Sequence, residues 1–296
     1  MIQASNNKFL VPIDFTEQSV TALKQAYVLA QKYGASITLL HVVEDRGSIA
    51  KIFSDNQHQE LKIAILKDLE KLTEGLDKKG NIAMNAMVVR GSVYEKVTEF
   101  ADSTGATMIV MGTNGDSNIK KRFIGSNALR VVRESKIPVI TIKGKKIQNE
   151  IRNIVLPLDL SKETKEKLSV SLELSRLFEN AVIRVVSVVF TTDEFVVNRL
   201  TRQLGQVKAL LEKEGVECSA EIVKGTKGED SLAENILEYA DKVDGDIIMI
   251  MTQQELDFTK YFVGSSAQEI INQSNIPVFS IRPVFRKDNV PSFKSN

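Results

Sequence analysis

The stretch KFLVPIDFTEQS near the start of the chain returns as NIVLPLDLSKET in its second half, and this internal repeat restricts the fold to two versions of one unit. Pro12 and Asp14 recur as Pro157 and Asp159. The match continues through VVRGSVYEKVTEFADSTGATMIVMG against IVKGTKGEDSLAENILEYADKVDGDIIMIM, and through FIGSNALRVVRESKIPVITIK against FVGSSAQEIINQSNIPVFSIR. A chain of 296 residues is long enough for two units that each bury a core. The seam falls in the polar run from Lys143 to Asn153, which puts one domain at 1–147 and the other at 148–296.

Within each copy, short β-branched or Leu-rich runs alternate with longer segments of helical period, the pattern of βα units in a parallel sheet. In the first copy the expected strands are Phe9 to Ile13, Ile37 to Val43, Ala83 to Val89, Met108 to Met111 and Val139 to Ile142. The first helix is expected after Thr16 as N-cap, with Val20, Leu23, Tyr27 and Ala30 on one face. Ser161 repeats the cap in the second copy, ahead of Leu168, Leu172 and Ser175. A further helix is expected from about Gln59 to Lys79, a third after Gly91 and after the turn at Lys227 and Gly228, and a fourth from Gly125 and Gly264. The fold class is therefore α/β, as two tandem, doubly wound, five-stranded parallel sheets. Such sheets take ligands beyond the carboxyl ends of their strands, where the strand order reverses.

Composition narrows the partners. A formal net charge of +1 leaves no global field for nucleic acid or an anionic membrane, and no apolar run nears the roughly 20 residues of a membrane helix. Cys218 is the only cysteine and has no cationic neighbour in sequence, which suits a packing residue in a reducing, cytoplasmic setting. His41 in a strand and His58 in a polar helical region share no metal or dyad spacing. No G-x-x-x-x-G-K-[ST], no G-x-G-x-x-G after the first strand and no G-x-S-x-G elbow is present. The tail from Val284 to Asn296 carries no periodic pattern.

One motif does carry chemistry. After the fourth strand come Gly112 and Gly115, then nine residues, then Gly125 and Ser126 at a helix start, a G-x2-G-x9-G-S spacing. Glycines let backbone turn and approach a phosphate, and the N–H groups at a helix start attract anions. Ser126 and Asn127 add side-chain donors. Lys120, Lys121 and Arg122 lie between the glycines, equally suited to screening phosphate charge or to a solvated loop tip.

Pro12-x-Asp14, Leu40-His41-Val42, Val110-Met111-Gly112, the glycine spacing and Ile137-Pro138-Val139 together resemble the universal stress proteins, and the resemblance covers both copies almost end to end. It implies an ATP site in the first copy, with or without Mg²⁺. Adenine would lie near Asp14 and the Val42 backbone, with Pro12 shaping the strand exit. Ribose and phosphates would lie across Gly112, Gly115, Gly125 and Ser126, and Met111 is counted among the nucleotide-binding residues. Asp14 has an alternative role as a turn or helix cap.

The second copy departs from the pattern. Ungapped alignment puts Met251 at the place of Gly112 and Gln254 at that of Gly115, while Asp159, Gly264, Ser265 and Ser266 remain. Side chains there should restrict positive φ and fill phosphate space, leaving a degenerate pocket. Single domains of the family pair through the fifth strand, so Val139 to Ile142 and Val278 to Ile281 are expected at a pseudo-two-fold interface, each being an edge that needs cover. Association of two chains, and a protein partner, stay open. Three functions remain in view: a nucleotide-responsive stress-signalling module, a weak ATPase or phosphotransferase, and an interaction scaffold without nucleotide.

Overall fold

Ten strands lie in one sheet because the apolar strands of both copies find neighbours, including the two that would otherwise be edges. The computed structural model describes residues 7–44, 55–77, 80–113, 125–158, 164–178, 180–226, 228, 230–254, 261–262 and 264–282. The first copy runs β1 (Lys8–Pro12), α1 (Glu17–Tyr33), β2 (Ser36–Val43), α2 (Asp55–Leu76), β3 (Met84–Arg90), α3 (Val93–Thr104), β4 (Met108–Gly112), α4 (Ser126–Glu134) and β5 (Val139–Ile142). The second runs β6 (Asn153–Pro157), α5 (Thr164–Ser175), β7 (Val182–Val189), α6 (Glu194–Lys213), β8 (Cys218–Lys224), α7 (Leu232–Lys242) and β9 (Ile247–Met251). It continues through β10 (Gln253–Gln254), β11 (Tyr261–Phe262), α8 (Ser265–Gln273) and β12 (Val278–Ile281).

The strand order is β3-β2-β1-β4-β5-β12-β9-β6-β7-β8. Each five-stranded half is parallel throughout, as the alternation of apolar runs and helical segments implies, and the halves meet where β5 and β12 pair antiparallel. Val139 pairs with Ser280, Ile140 with Phe279 and Thr141 with Val278. The repeat equates Val139 with Val278 and Thr141 with Ser280, so the outer pairs interchange under a half-turn and the Ile140–Phe279 pair lies on its axis.

Side-chain alternation along the strands feeds two apolar layers, one on each face of the sheet. One layer holds Phe9, Val11, Val110, Ile140 and Phe279 under α1, α2, α5 and α6; the other holds Leu10, Ile109, Met111, Val139 and Val278 under α3, α4, α7 and α8. Both layers run unbroken through the two copies. The middle of β1 and nearly all of β4 and β5 are buried, whereas in the outer strand β3 only Val88 is buried and half-buried positions alternate with exposed ones.

Local chemistry explains the element ends. Thr16 caps α1 by accepting from the Ser19 N–H, as expected, and Gly34 closes it in the left-handed region at φ 60°. Helix α2 stops at Leu76, short of the expected Lys79, since the Asp77 carboxylate accepts from the Ile82 N–H and the Tyr27 hydroxyl and turns the chain towards β3. The seam is less free than its polarity suggests. Gln148 is buried, its N–H donating to the Gln25 side chain while the Gln25 amide returns a bond to the Gln148 carbonyl. Ser161, Lys79, Lys227 and the tail from Val284 lie outside the described residues.

Phe279 is 2% exposed at the centre of the junction, in contact with the layer under α1 and α5. Phe279→Ala should lower stability by about 3–5 kcal/mol, the usual cost of emptying a buried aromatic site, read as a shift of the urea unfolding midpoint.

Candidate functional site

The order β3-β2-β1-β4-β5 reverses direction between β1 and β4, and the carboxyl ends of those two strands carry most of the residues singled out in sequence. Pro12 closes β1 and Gly112 closes β4. Beyond β1 the chain is held in place by a short relay. The Asp14 carboxylate accepts from the Thr16 N–H at 3.0 Å and the Thr16 hydroxyl at 2.6 Å, while the Asp14 N–H donates to the Ser19 hydroxyl. Asp14 thus caps the turn into α1, its exposed side chain engaging Thr16 through one oxygen.

Val42 enters from the neighbouring strand. The Ile13 N–H donates to the Leu40 carbonyl, and His41 Nδ1 donates to the Ile13 carbonyl at 2.7 Å, so β2 holds the exit of β1. His41 is therefore a satisfied strand residue, as its sequence position suggests. Val42 itself is half-buried on the layer under α3 and α4. Met111 belongs to the same layer and is buried, so its side chain serves the core and only its backbone reaches the strand end.

Gly112 has a different reason for being glycine from the one expected. A Cβ there would lie 2.9 Å from the Gln18 carbonyl carbon and 3.0 Å from the Ser19 nitrogen, which is the first turn of α1. Its backbone does not occupy the left-handed region. The residue is bare because helix backbone passes over it, which also places β4 beside the Asp14 relay. A valine at 112 would on the same ground disturb the fold as well as the site.

The loop after β4 is closed at its base. The Thr113 N–H donates to the Ile142 carbonyl, and the Gly125 N–H donates to the Thr113 carbonyl at 2.5 Å, so α4 starts directly above the end of β4. Among the described residues no side chain caps α4: Gly125 is its N-cap, Ser126 is exposed and Asn127 half-buried. Gly125 adopts φ −55°, an ordinary value for any residue, so its backbone imposes no need for glycine. Gly115, Lys120, Lys121 and Arg122 lie outside the described residues. The donor set fits a nucleotide phosphate: an uncapped helix start at a switch point, with a carboxylate and backbone groups for the rest of the ligand.

Sequence reasoning missed Phe15. It sits at φ 64°, a rare conformation for a bulky residue, with 40% of its surface exposed and its ring 5.3 Å from that of His41. No residue-level signal marks it, because the strain comes from turning β1 over into the Thr16 cap.

In the second copy Met251 is 7% exposed and lies in the layer under α5 and α6. It thus fills core rather than phosphate space, which corrects the expectation. Next, Gln253 and Gln254, which the repeat sets against Asn114 and Gly115, pair antiparallel with Phe262 and Tyr261, so this stretch of the second copy lies in a strand ladder. Asp159 lies outside the described residues.

Against known proteins, the model of the universal stress protein family matches the chain twice, over residues 5–143 and 150–282. The chain belongs to the universal stress protein family. It is a tandem member, with two copies of the family's Rossmann-like unit. Universal stress protein YxiE of Bacillus subtilis is 31% identical over 147 residues, covering 46% of this chain and 99% of its own length. A universal stress protein of Methanocaldococcus jannaschii is 28% identical over 155 residues, covering 47% and 95%. At full length, the crystal structure of a universal stress protein from Archaeoglobus fulgidus DSM 4304 superposes with TM-score 0.75 at 20% identity, covering 93% of this chain and 96% of that one, a likeness of fold. Among the described residues no helix is long and apolar enough to cross a membrane, and no cluster of His, Cys, Asp or Glu is arranged to hold a metal ion.

Since a Cβ at position 112 meets helix backbone, Gly112→Ala should destabilise the protein without ligand by about 1–3 kcal/mol, the usual cost of overpacking. Thermal unfolding of Gly112→Ala beside Gly125→Ala checks this, with the second variant expected near the parent.

Proposed function

We propose that this tandem universal stress protein is an ATP-responsive signalling module that binds one adenine nucleotide per chain, in the N-terminal copy. The domain over 1–147 supplies the site and the domain over 148–296 is its degenerate partner, the two forming an intramolecular pseudo-dimer in the cytoplasm. Pro12, Asp14 and the Val42 backbone would hold adenine and ribose. The Met111 and Gly112 backbone, the Gly115 loop and the Gly125-Ser126-Asn127 helix start would take the phosphates, with or without Mg²⁺. The lone, half-buried Cys218, whose thiol burial pushes up from its ordinary pKa, fits this setting as an inert packing residue.

The observation that carries the reading lies at the end of β4, where the Gly125 N–H returns to the Thr113 carbonyl and α4 starts, among the described residues, without a side-chain cap; in the second copy Gln253 and Gln254, which the repeat sets against Asn114 and Gly115, are paired in the β10–β11 ladder. Backbone N–H groups already in a ladder are not available to an anion. A signalling role follows if ATP alters what the module binds, since a ligand shifts a protein between states only by preferring one of them.

Calorimetric titration with ATP tests the proposal. One site per chain is expected, with binding abolished in Gly125→Val and that variant without ligand less stable by only about 1 kcal/mol, since φ −55° is open to valine and the cost is that of a poorer N-cap. Two equivalent sites, or none, would remove the reading. An ATP turnover assay on the same sample with Mg²⁺ should show no enzyme-like release of ADP.

A further inference from the structure

The start of α4 is half of the proposed phosphate site, and the far end of the same helix is held by the other copy. Ser135 is the C-cap of α4, and its carbonyl accepts from Arg282 Nη1 at 3.4 Å. Strand β11 also runs beside α4, with Cα atoms of the two elements within 8 Å. The relation is mutual at the cationic end. Lys143, the repeat equivalent of Arg282, donates from Nζ to the Asn272 carbonyl in the last turn of α8. Each copy thus sends the cation that follows its last strand to the carbonyl end of the other's last helix, where unsatisfied C=O groups and the helix dipole favour positive charge.

The consequences differ between the two helices. Helix α8 follows the β10–β11 ladder in the chain, whereas α4 starts where the Gly125 N–H meets the Thr113 carbonyl. Helix α4 has nine residues, so about 13 Å separates the Arg282 contact from the Gly125 end. A helix of two and a half turns moves as a rigid body, so a shift at Ser135 displaces the N–H groups at Ser126 and Asn127. Phosphate binding is sensitive to such a displacement because its donors are fixed backbone groups.

We propose that the C-terminal copy is a brace for the N-terminal nucleotide site. Arg282 acts as a positioning residue at the end of α4, with the β10–β11 hairpin alongside, and together they set where the helix start meets the phosphates. The proposal rests on the ATP reading above. The degenerate copy thereby keeps a purpose, because the segment that no longer serves as a phosphate loop lies instead against the helix that serves the remaining site.

The test uses the full chain and compares ATP with adenosine by calorimetry, together with hydrogen exchange of the α4 amides. Arg282→Met should weaken ATP about tenfold, the loss of one charge-assisted hydrogen bond expressed as affinity, while adenosine affinity stays within about twofold. Exchange across 126–134 should quicken, and Arg282→Lys should restore both. Lys143→Met, which loosens α8, should leave ATP affinity and α4 exchange as they are. Equal losses for ATP and adenosine would show a general loss of structure and overturn the proposal, as would unchanged α4 exchange or an equal effect of Lys143→Met. If the parent protein binds no ATP, the nucleotide reading fails and the brace falls with it; if it binds ATP and Arg282→Met changes nothing, the brace alone fails.

Discussion

The antiparallel ladder between β5 and β12 is the contact on which the rest of the molecule depends. Each strand has four buried residues and would otherwise end its half of the sheet with unpaired N–H and C=O groups along an apolar edge. Pairing them satisfies both edges at once. It also joins the apolar layers of the two copies, so that Ile140 and Phe279 pack in one core shared by α1 and α5. Because the register is symmetric about that pair, the last helix of each copy is brought beside the strand end of the other. The Arg282 and Lys143 contacts follow from that placement.

Within the first copy, a second constraint shapes the site: the first turn of α1 lies on the end of β4. Gln18 and Ser19 leave no room for a side chain at position 112, and Ser19 also receives the Asp14 N–H. One close approach therefore fixes the end of β4, the turn after β1 and the cap of α1 relative to one another. Phe15 takes up the resulting strain in the left-handed region. A site assembled this way is set by backbone, which suits recognition of phosphate and sugar rather than acid–base chemistry.

The two copies keep the same layers although the residues that follow their fourth strands differ. Met251 is absorbed into the core under α5, and the segment after it closes on itself as a hairpin. The helix that follows starts on glycine without a side-chain cap in both copies, at Gly125 and at Gly264. In the second copy a two-stranded ladder precedes α8. The family's fold survives either choice because that segment lies beyond the sheet's own ladder.

Much of this was legible in the residues. The repeat, the apolar runs and the caps such as Thr16 determined two α/β units of parallel strands, since side-chain period and local hydrogen bonding depend only on near neighbours. The G-x2-G-x9-G-S spacing likewise located a glycine loop and a helix start, and the family's motifs pointed to the same end of the sheet. Only the tertiary structure decided why Gly112 must be bare, where Met251 goes, that Asp14 also caps Thr16, and that Arg282 reaches α4. Each of these is a contact between segments far apart in the chain or a backbone conformation imposed by such contacts, and no local pattern encodes the distance at which two helices and a strand come to rest.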